Sequence, residues 1–108
     1  MTELKNQGRV LALDVGERRI GIALSDPLRI ISSPHPAINR GGKKEYQELI
    51  ALILAQGVTD IAVGLPLELD GTVGEQAEKV LHFQRSLDGR LRDIPETRGV
   101  RIHKVDER

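Results

Sequence analysis

Cysteine is absent from the 108 residues, which excludes a disulfide framework and any thiolate metal site. Tryptophan is absent too, and one tyrosine and one phenylalanine are the only aromatic residues. Stacking of nucleobases on aromatic faces therefore has little to work with. No apolar run approaches the roughly 20 residues that span a bilayer. The opening MTELKNQGRV lacks the basic-then-apolar layout of a signal peptide, so the expectation is a cytoplasmic protein with no membrane partner. Net charge is missing as well. The 16 Lys and Arg balance 16 Asp and Glu, without the basic excess of a strong nucleic-acid footprint. Any basic surface must come from local clusters such as Arg18–Arg19, or Arg40 with Lys43 and Lys44, which serve equally well as solvated faces. Neither GxxxxGK[ST] nor GxGxxG occurs, which excludes the common phosphate-cradling loops.

What is present has the make-up of one globular domain, read as residues 1–108, with 39% apolar and 30% charged residues. Arg9–Val15 reads as a buried strand. After the turn GERR, Ile20–Ser25 reads as a second strand returning antiparallel, because only four residues separate the two runs. Arg29–Ser33 predicts a short third strand, cut off by Pro34 and Pro36. Beyond the NRGGKK loop the period changes. Tyr46, Leu49, Ile50, Ile53 and Leu54 mark one face of a helix over Lys43–Gln56, with Gly57 at its C-cap. The apolar run Asp60–Leu65 predicts a central parallel strand. A second helix is expected from about Val73 to Leu91, with the stripe Val73, Ala77, Val80, Leu81, Leu87 and Leu91. Val100–Val105 reads as the last strand.

Three antiparallel strands followed by β-α-β crossovers predict an α/β fold, a mixed sheet with helices packed on it. The ribonuclease H-like sheet has this order. In such a sheet the first strand lies beside the fourth and the fourth beside the fifth. The carboxyl ends of parallel neighbours then form the edge where α/β sheets bind ligands. Asp14, Asp70 and Asp106–Glu107 are expected to converge there. Carboxylates gathered within a few ångströms repel one another. A hard cation with oxygen ligands, Mg²⁺ or Mn²⁺, relieves that repulsion. Metal-assisted phosphodiester hydrolysis is the natural chemistry of such a site, with Gly16 and Gly21 leaving room for a phosphate backbone. Plainer readings stand beside this one. Asp14 before Gly16 fits a capped corner, Asp70–Gly71 a turn, and the terminal DER a polar tail. His35, His82 and His103 read as structural or exposed rather than as ligands.

Taken together, LALDVGERRIGIALSDP, DIAVGLPLELDGTVGEQA and the terminal VDER resemble the YqgF-type (RuvX-like) family of ribonuclease H-like proteins. The resemblance runs from about Arg9 to Arg108. That family is described as a pre-16S rRNA nuclease and as Holliday-junction-resolvase-like. The resemblance implies a metal-dependent nuclease, a hydrolase using Mg²⁺ or Mn²⁺, in 5′-end maturation of 16S rRNA during ribosome biogenesis. It assigns Asp14 as the metal ligand of the first strand and Glu107 as the second catalytic and metal-binding carboxylate. Asp70, Gly71 and Thr72 would border the site on the substrate side. Gly16, Arg18 and Arg19, in the turn beside Asp14, are expected to contact substrate phosphates. The family continues past DER into a further helix bearing a third acidic ligand, so the domain is expected to be truncated at its C-terminus, with that helix missing. Structured RNA or branched DNA are the implied partners, and a homodimer is one option for the oligomeric state. Two alternatives stay open: a DNA junction resolvase, and a non-catalytic nucleic-acid-binding relative lacking the third carboxylate.

Overall fold

Alternation along β1 (Arg9–Val15) decides the layering of the molecule. Leu11 and Leu13 are buried, while Ala12 and Asp14 between and beyond them are exposed, as the two-residue period of a strand requires. The structure, a computed structural model, describes residues 8–42 and 44–108. β1 pairs antiparallel with β2 (Arg19–Ser25) and parallel with β4 (Val58–Leu65). With β3 (Ser32–Asn39) and β5 (Arg101–Asp106) as edges, the order is β3-β2-β1-β4-β5. The first strand does lie beside the fourth, and the fourth beside the fifth.

The crossovers are α1 (Glu45–Gln56) and α2 (Glu75–Asp93). Gly57 ends α1 in the left-handed conformation, φ 63°, and its N–H donates to the Ile53 carbonyl. That is the C-cap expected of it. Leu49 and Ile53 of α1, with Val80, Phe83, Leu87 and Leu91 of α2, pack on Leu11, Leu13, Ile20, Ile22, Ile61 and Val63 of the sheet. Burying each such side chain contributes roughly 1.5–3 kcal/mol before entropic costs. Phe83 is fully buried. Its ring stacks on Tyr46 at 5.2 Å between centroids, with the planes 19° apart, and so ties α2 to α1. Arg40 lies 5.3 Å from the Phe83 centroid and Arg90 4.3 Å from that of Tyr46.

The opposite face of the sheet is built from small residues. The register sets Ala12 beside Ala23 and Ala62, and Asp14 beside Gly21. Sheets with parallel pairs usually carry helices on both faces, yet both helices here contribute their buried residues to the Leu11–Leu13 side. Among the described residues, no helix is long and apolar enough to cross a membrane.

Three local expectations are corrected. The third strand is not Arg29–Ser33 but Ser32–Asn39, and it runs through both prolines. β3 is an edge strand, and its pairing with β2 shifts between Ile20 and Ile22, opposite Pro36. Edges and bulges are the places where a missing N–H is tolerated in a sheet. Leu54 is exposed, and Leu52 packs against the core in its stead. Val73 precedes α2 and stays exposed, while Phe83, absent from the expected stripe, fills the centre. The start of α1 expected at Lys43 falls on a residue outside the described ones.

Candidate active site

Asp14 ends the exposed row of β1, directly opposite Gly21 of β2. A Cβ on Gly21 would stand 3.5 Å from the Asp14 Cβ, an ordinary contact. Packing therefore does not demand glycine there, and its effect is open space beside the carboxylate. The turn that follows is tight. The Gly16 N–H donates to the Arg19 carbonyl at 3.0 Å, and a Cβ on Gly16 would come within 2.9 Å of the same oxygen. Arg40 fixes this corner, donating from Nη1 to the Gly16 carbonyl at 2.6 Å and from Nε to Glu45 at 3.1 Å. Gly16 and Arg19 share a hollow with Asp14, Gly21 and Ala37. Arg18 lines a neighbouring hollow with Gly16, Arg19 and Asn39, one step further from the carboxylate.

Glu107 reaches the same face from the other side. β5 runs parallel to β4 with Gly64 beside Val105 and Leu65 beside Asp106. The pairing continues one residue further, as the Glu107 N–H donates to the Leu65 carbonyl at 3.0 Å. The Glu107 carboxylate then lies over Gly64, in the space a Cβ on that residue would take. Between Asp14 and Glu107 is an open cleft of about 450 Å³, floored by Ala12, Gly21, Ala62 and Gly64.

The other acidic positions do not join them. Asp70 closes a turn on itself: its Oδ1 accepts the Thr72 N–H at 3.0 Å and the Thr72 hydroxyl at 2.7 Å. These bonds hold its carboxyl below the ordinary aspartate value. Gly71 beside it has φ 88°, which glycine adopts without penalty. The plainer turn reading describes this loop, and Asp70 does not line the cleft. Asp106 accepts from Nε of Arg108 at 2.9 Å. The Arg108 guanidinium also lies 3.1 Å from where a Cβ on Gly71 would be, so the end of the chain touches the loop after β4. Among the described residues, no group of three or more His, Asp or Glu is gathered for a metal. The two cleft carboxylates, oxygen donors with open space beside them, fit one hydrated hard cation and not two.

At the far end of the same face lies a cluster that sequence reading missed. Asp60, near the start of β4, is buried. Its Oδ1 accepts from Arg101 Nε at 2.8 Å and meets His103 Nε2 at 2.9 Å. Its Oδ2 accepts from Arg29 Nη2 at 2.5 Å, the Thr59 hydroxyl at 2.8 Å and Arg101 Nη2 at 2.9 Å. The Arg101 guanidinium foremost, against the opposing push of burial, holds the Asp60 carboxyl far below its usual range. In the sequence Asp60 heads the apolar run to Leu65 with no charged partner beside it. The available signal was the spacing of Arg101 and His103, two apart on a strand and so on one face.

The chain matches, over residues 8–108, the model of a family described as RuvX: Holliday junction resolvase. It is 46% identical over 102 residues to a protein of Roseiflexus sp. (strain RS-1), covering 94% of this chain and 67% of the relative. It is 39% identical over 101 residues to one of Maridesulfovibrio salexigens, covering 93% and 70%. A relative from Paramagnetospirillum magneticum is 40% identical, and the chain spans 61% of its length. All three carry the provisional name pre-16S rRNA nuclease. Among solved structures, Pelota from Archaeoglobus fulgidus aligns with a TM-score of 0.55 at 16% identity, over 98% of this chain and 28% of that one. That likeness is one of fold alone, and it agrees with the ribonuclease H-like sheet expected from the order of elements.

Proposed function

The chain belongs to the RuvX family, and from that premise we propose that the cleft between Asp14 and Glu107 is the centre of a metal-dependent nuclease acting on structured RNA. The observation that carries this reading is the meeting of these two carboxylates, from β1 and from the end of β5, on one glycine-floored face. Asp14 and Glu107 would hold a single Mg²⁺ or Mn²⁺. The chemistry such an ion supplies when bound is activation of water and neutralisation of charge on a phosphate.

The protein's own groups have separate tasks. Asp14 is held at a fixed point by the β1–β2 pairing, and Gly21 opposite keeps side chains out of the approach to it. Glu107 is positioned by its backbone bond to Leu65 and by the absence of a side chain at Gly64. Gly16 keeps the adjoining turn tight, and Arg19 and Arg18 present positive charge next to the cleft, where a phosphodiester would be oriented. Gly71 and Thr72 lie outside the cleft lining, in a loop that Arg108, next to Glu107, touches at Gly71, and would meet substrate only beyond the cleft. With Tyr46 and Phe83 committed to the core, contacts to the sugar-phosphate backbone fit better than base stacking.

The substrate named for the relatives, pre-16S rRNA, is the one we assign to this chain. The description of the family as a Holliday junction resolvase favours a second reading, cleavage of branched DNA. Cleavage of a precursor 16S rRNA leader, with a four-way DNA junction as competitor, separates the two. The expected result is Mg²⁺- or Mn²⁺-dependent RNA cleavage that Asp14→Asn abolishes while binding persists. Equal cleavage by Asp14→Asn overturns the assignment of the cleft. Binding without cleavage by the unaltered chain supports a non-catalytic role instead.

A further inference from the structure

We infer that Arg101, His103 and Arg29, fixed around Asp60, form a second contact for a nucleic-acid backbone, holding a phosphate at the end of the open face opposite the cleft. The inference rests on the reading that the chain binds nucleic acid, and it adds a site that the cleft does not contain.

One arginine neutralises one buried carboxylate. Here a second arginine and an imidazole are added, so the group keeps a net positive charge after Asp60 is satisfied. The bonds are one-sided. Arg101 presents Nε and Nη2 to Asp60, and His103 presents Nε2. This leaves Arg101 Nη1 a donor without a partner among the described residues, and gives His103 Nδ1 that role in the imidazolium form, in which both ring nitrogens carry a proton. The side chains of both are 56% exposed. Donors whose geometry is already fixed lose little freedom on binding an anion. The other nearby carboxylate, Asp26, is directed elsewhere: its Oδ1 accepts the N–H groups of Ile30 and Ile31, both at 2.8 Å.

Arg29 adds a further sign of construction. It is the one non-glycine residue with positive φ, 63°, among the described residues, a conformation that persists only where surroundings over-determine it. Its Nε donates to the Gly8 carbonyl at 3.0 Å, and its Nη2 to Thr59 at 3.1 Å as well as to Asp60. The cluster and the cleft also lie on one track. Asp60 precedes Gly64 by four residues of β4, ~13 Å at the usual strand rise. A duplex strand carries a phosphate every ~3.4 Å along its axis. A backbone laid along β4 from the cleft would reach the cluster within about four nucleotides.

The test measures binding of a labelled RNA hairpin by fluorescence anisotropy across a KCl series, without divalent cations, so that the cleft's ion plays no part. Arg101→Gln and His103→Gln are the variants, because both side chains are half-exposed and Arg29 shapes its own loop. Arg85→Gln, on the exposed side of α2, is the control, and melting temperatures verify the fold. Arg101→Gln is expected to weaken binding about 5-fold and to reduce the salt slope by about one. His103→Gln is expected to weaken binding, with a slope change only at a pH where the imidazole is charged. Arg85→Gln is expected to be unchanged. Hairpin binding with an unaltered slope in both variants would overturn the phosphate contact and leave the cleft reading intact. No binding by the unaltered chain would overturn both. Weakened binding in the two cluster variants, with binding restored by Arg101→Lys, supports the contact as electrostatic.

Discussion

The Glu107 carboxylate occupies the space in which a Cβ on Gly64 would stand. Gly64 sits in the regular part of the β4–β5 register and does not have positive φ. Its neighbour, not its backbone, is what calls for glycine. Gly64→Val should therefore keep or raise stability, since glycine inside a strand costs roughly 0.5–1 kcal/mol. It should also push Glu107 out of the cleft. The expected outcome is a 10- to 100-fold loss of metal-dependent cleavage, the usual scale for disturbing the support of a metal site. Cleavage rates and a Mn²⁺ titration, read beside the melting temperature, check it. A fall in melting temperature without a change in Mn²⁺ affinity would show that Gly64 serves packing alone.

Asp60 makes stability depend on pH with a definite sign. Its folded-state pKa lies below the ordinary value of 3.8, because Arg101, His103, Thr59 and Arg29 all favour the ionised form. A lowered carboxyl contributes stability that is complete above the unfolded value and is lost as pH falls toward the folded one. Asp60→Asn leaves the half-buried Arg29 and the more exposed Arg101 without their counter-charge and should cost about 2 kcal/mol near neutral pH, the scale of a lost charge-assisted hydrogen bond. That gap should shrink by about 1 kcal/mol between about pH 5 and about pH 3. Urea unfolding at the two pH values measures it, and a gap that stays constant refutes the account.

Much of this arrangement is legible in residues 9–25 and 57–65. Leu11 and Leu13 alternate with Ala12 and Asp14, and Gly57 follows a helical stripe, so strand, face and helix end can be read locally. The parallel placement of β1, β4 and β5 follows from connection lengths, and it brings Asp14 and Glu107 to one face. What escaped reading depends on neighbours remote in sequence. Pro34 and Pro36 argue against a strand until it is known that β3 is an edge with a bulge. Phe83 lies among charged residues of α2, and only Tyr46 across the helix pair explains its burial. Asp60 resembles any strand-opening aspartate until Arg29 and Arg101 are brought against it. Asp70 shows the converse, for its acidity suggests a ligand where a turn engages its Oδ1 locally, with the Thr72 N–H and hydroxyl.

Gly21 separates function from stability in the opposite corner of the cleft. A Cβ there meets only the Asp14 Cβ, at 3.5 Å, and a backbone oxygen at 3.8 Å, and the residue does not have positive φ. Gly21→Ala should raise stability by about 0.4–1 kcal/mol by restricting the unfolded chain. The added methyl crowds the approach to Asp14, so cleavage should fall while melting temperature rises. Urea midpoints and single-turnover cleavage give both quantities. Full activity in the alanine variant would mean that substrate does not approach Asp14 from the β2 side.

The Phe83–Tyr46 stack bears on whether the two helices act as one layer supporting that cleft. Phe83 has no exposed surface and touches α1 through a ring 5.2 Å away, so Phe83→Ala removes both its own burial and a tie between the helices. The expected loss is about 3–5 kcal/mol. Burial alone accounts for most of this, and the pairwise part needs a cycle. Tyr46→Leu, Phe83→Leu and the double variant should show a coupling of about 0.5–1.5 kcal/mol, the range for aromatic pairs beyond their buried area. Arg40, which lies 5.3 Å from the same Phe83 ring and donates to the Gly16 carbonyl, links the stack to the turn beside Asp14. If that link is mechanical, Phe83→Leu lowers cleavage more than its stability loss explains, and Arg40→Lys reproduces the effect with Phe83 in place. Additive energies together with unchanged cleavage in both variants would make the stack a matter of core packing only.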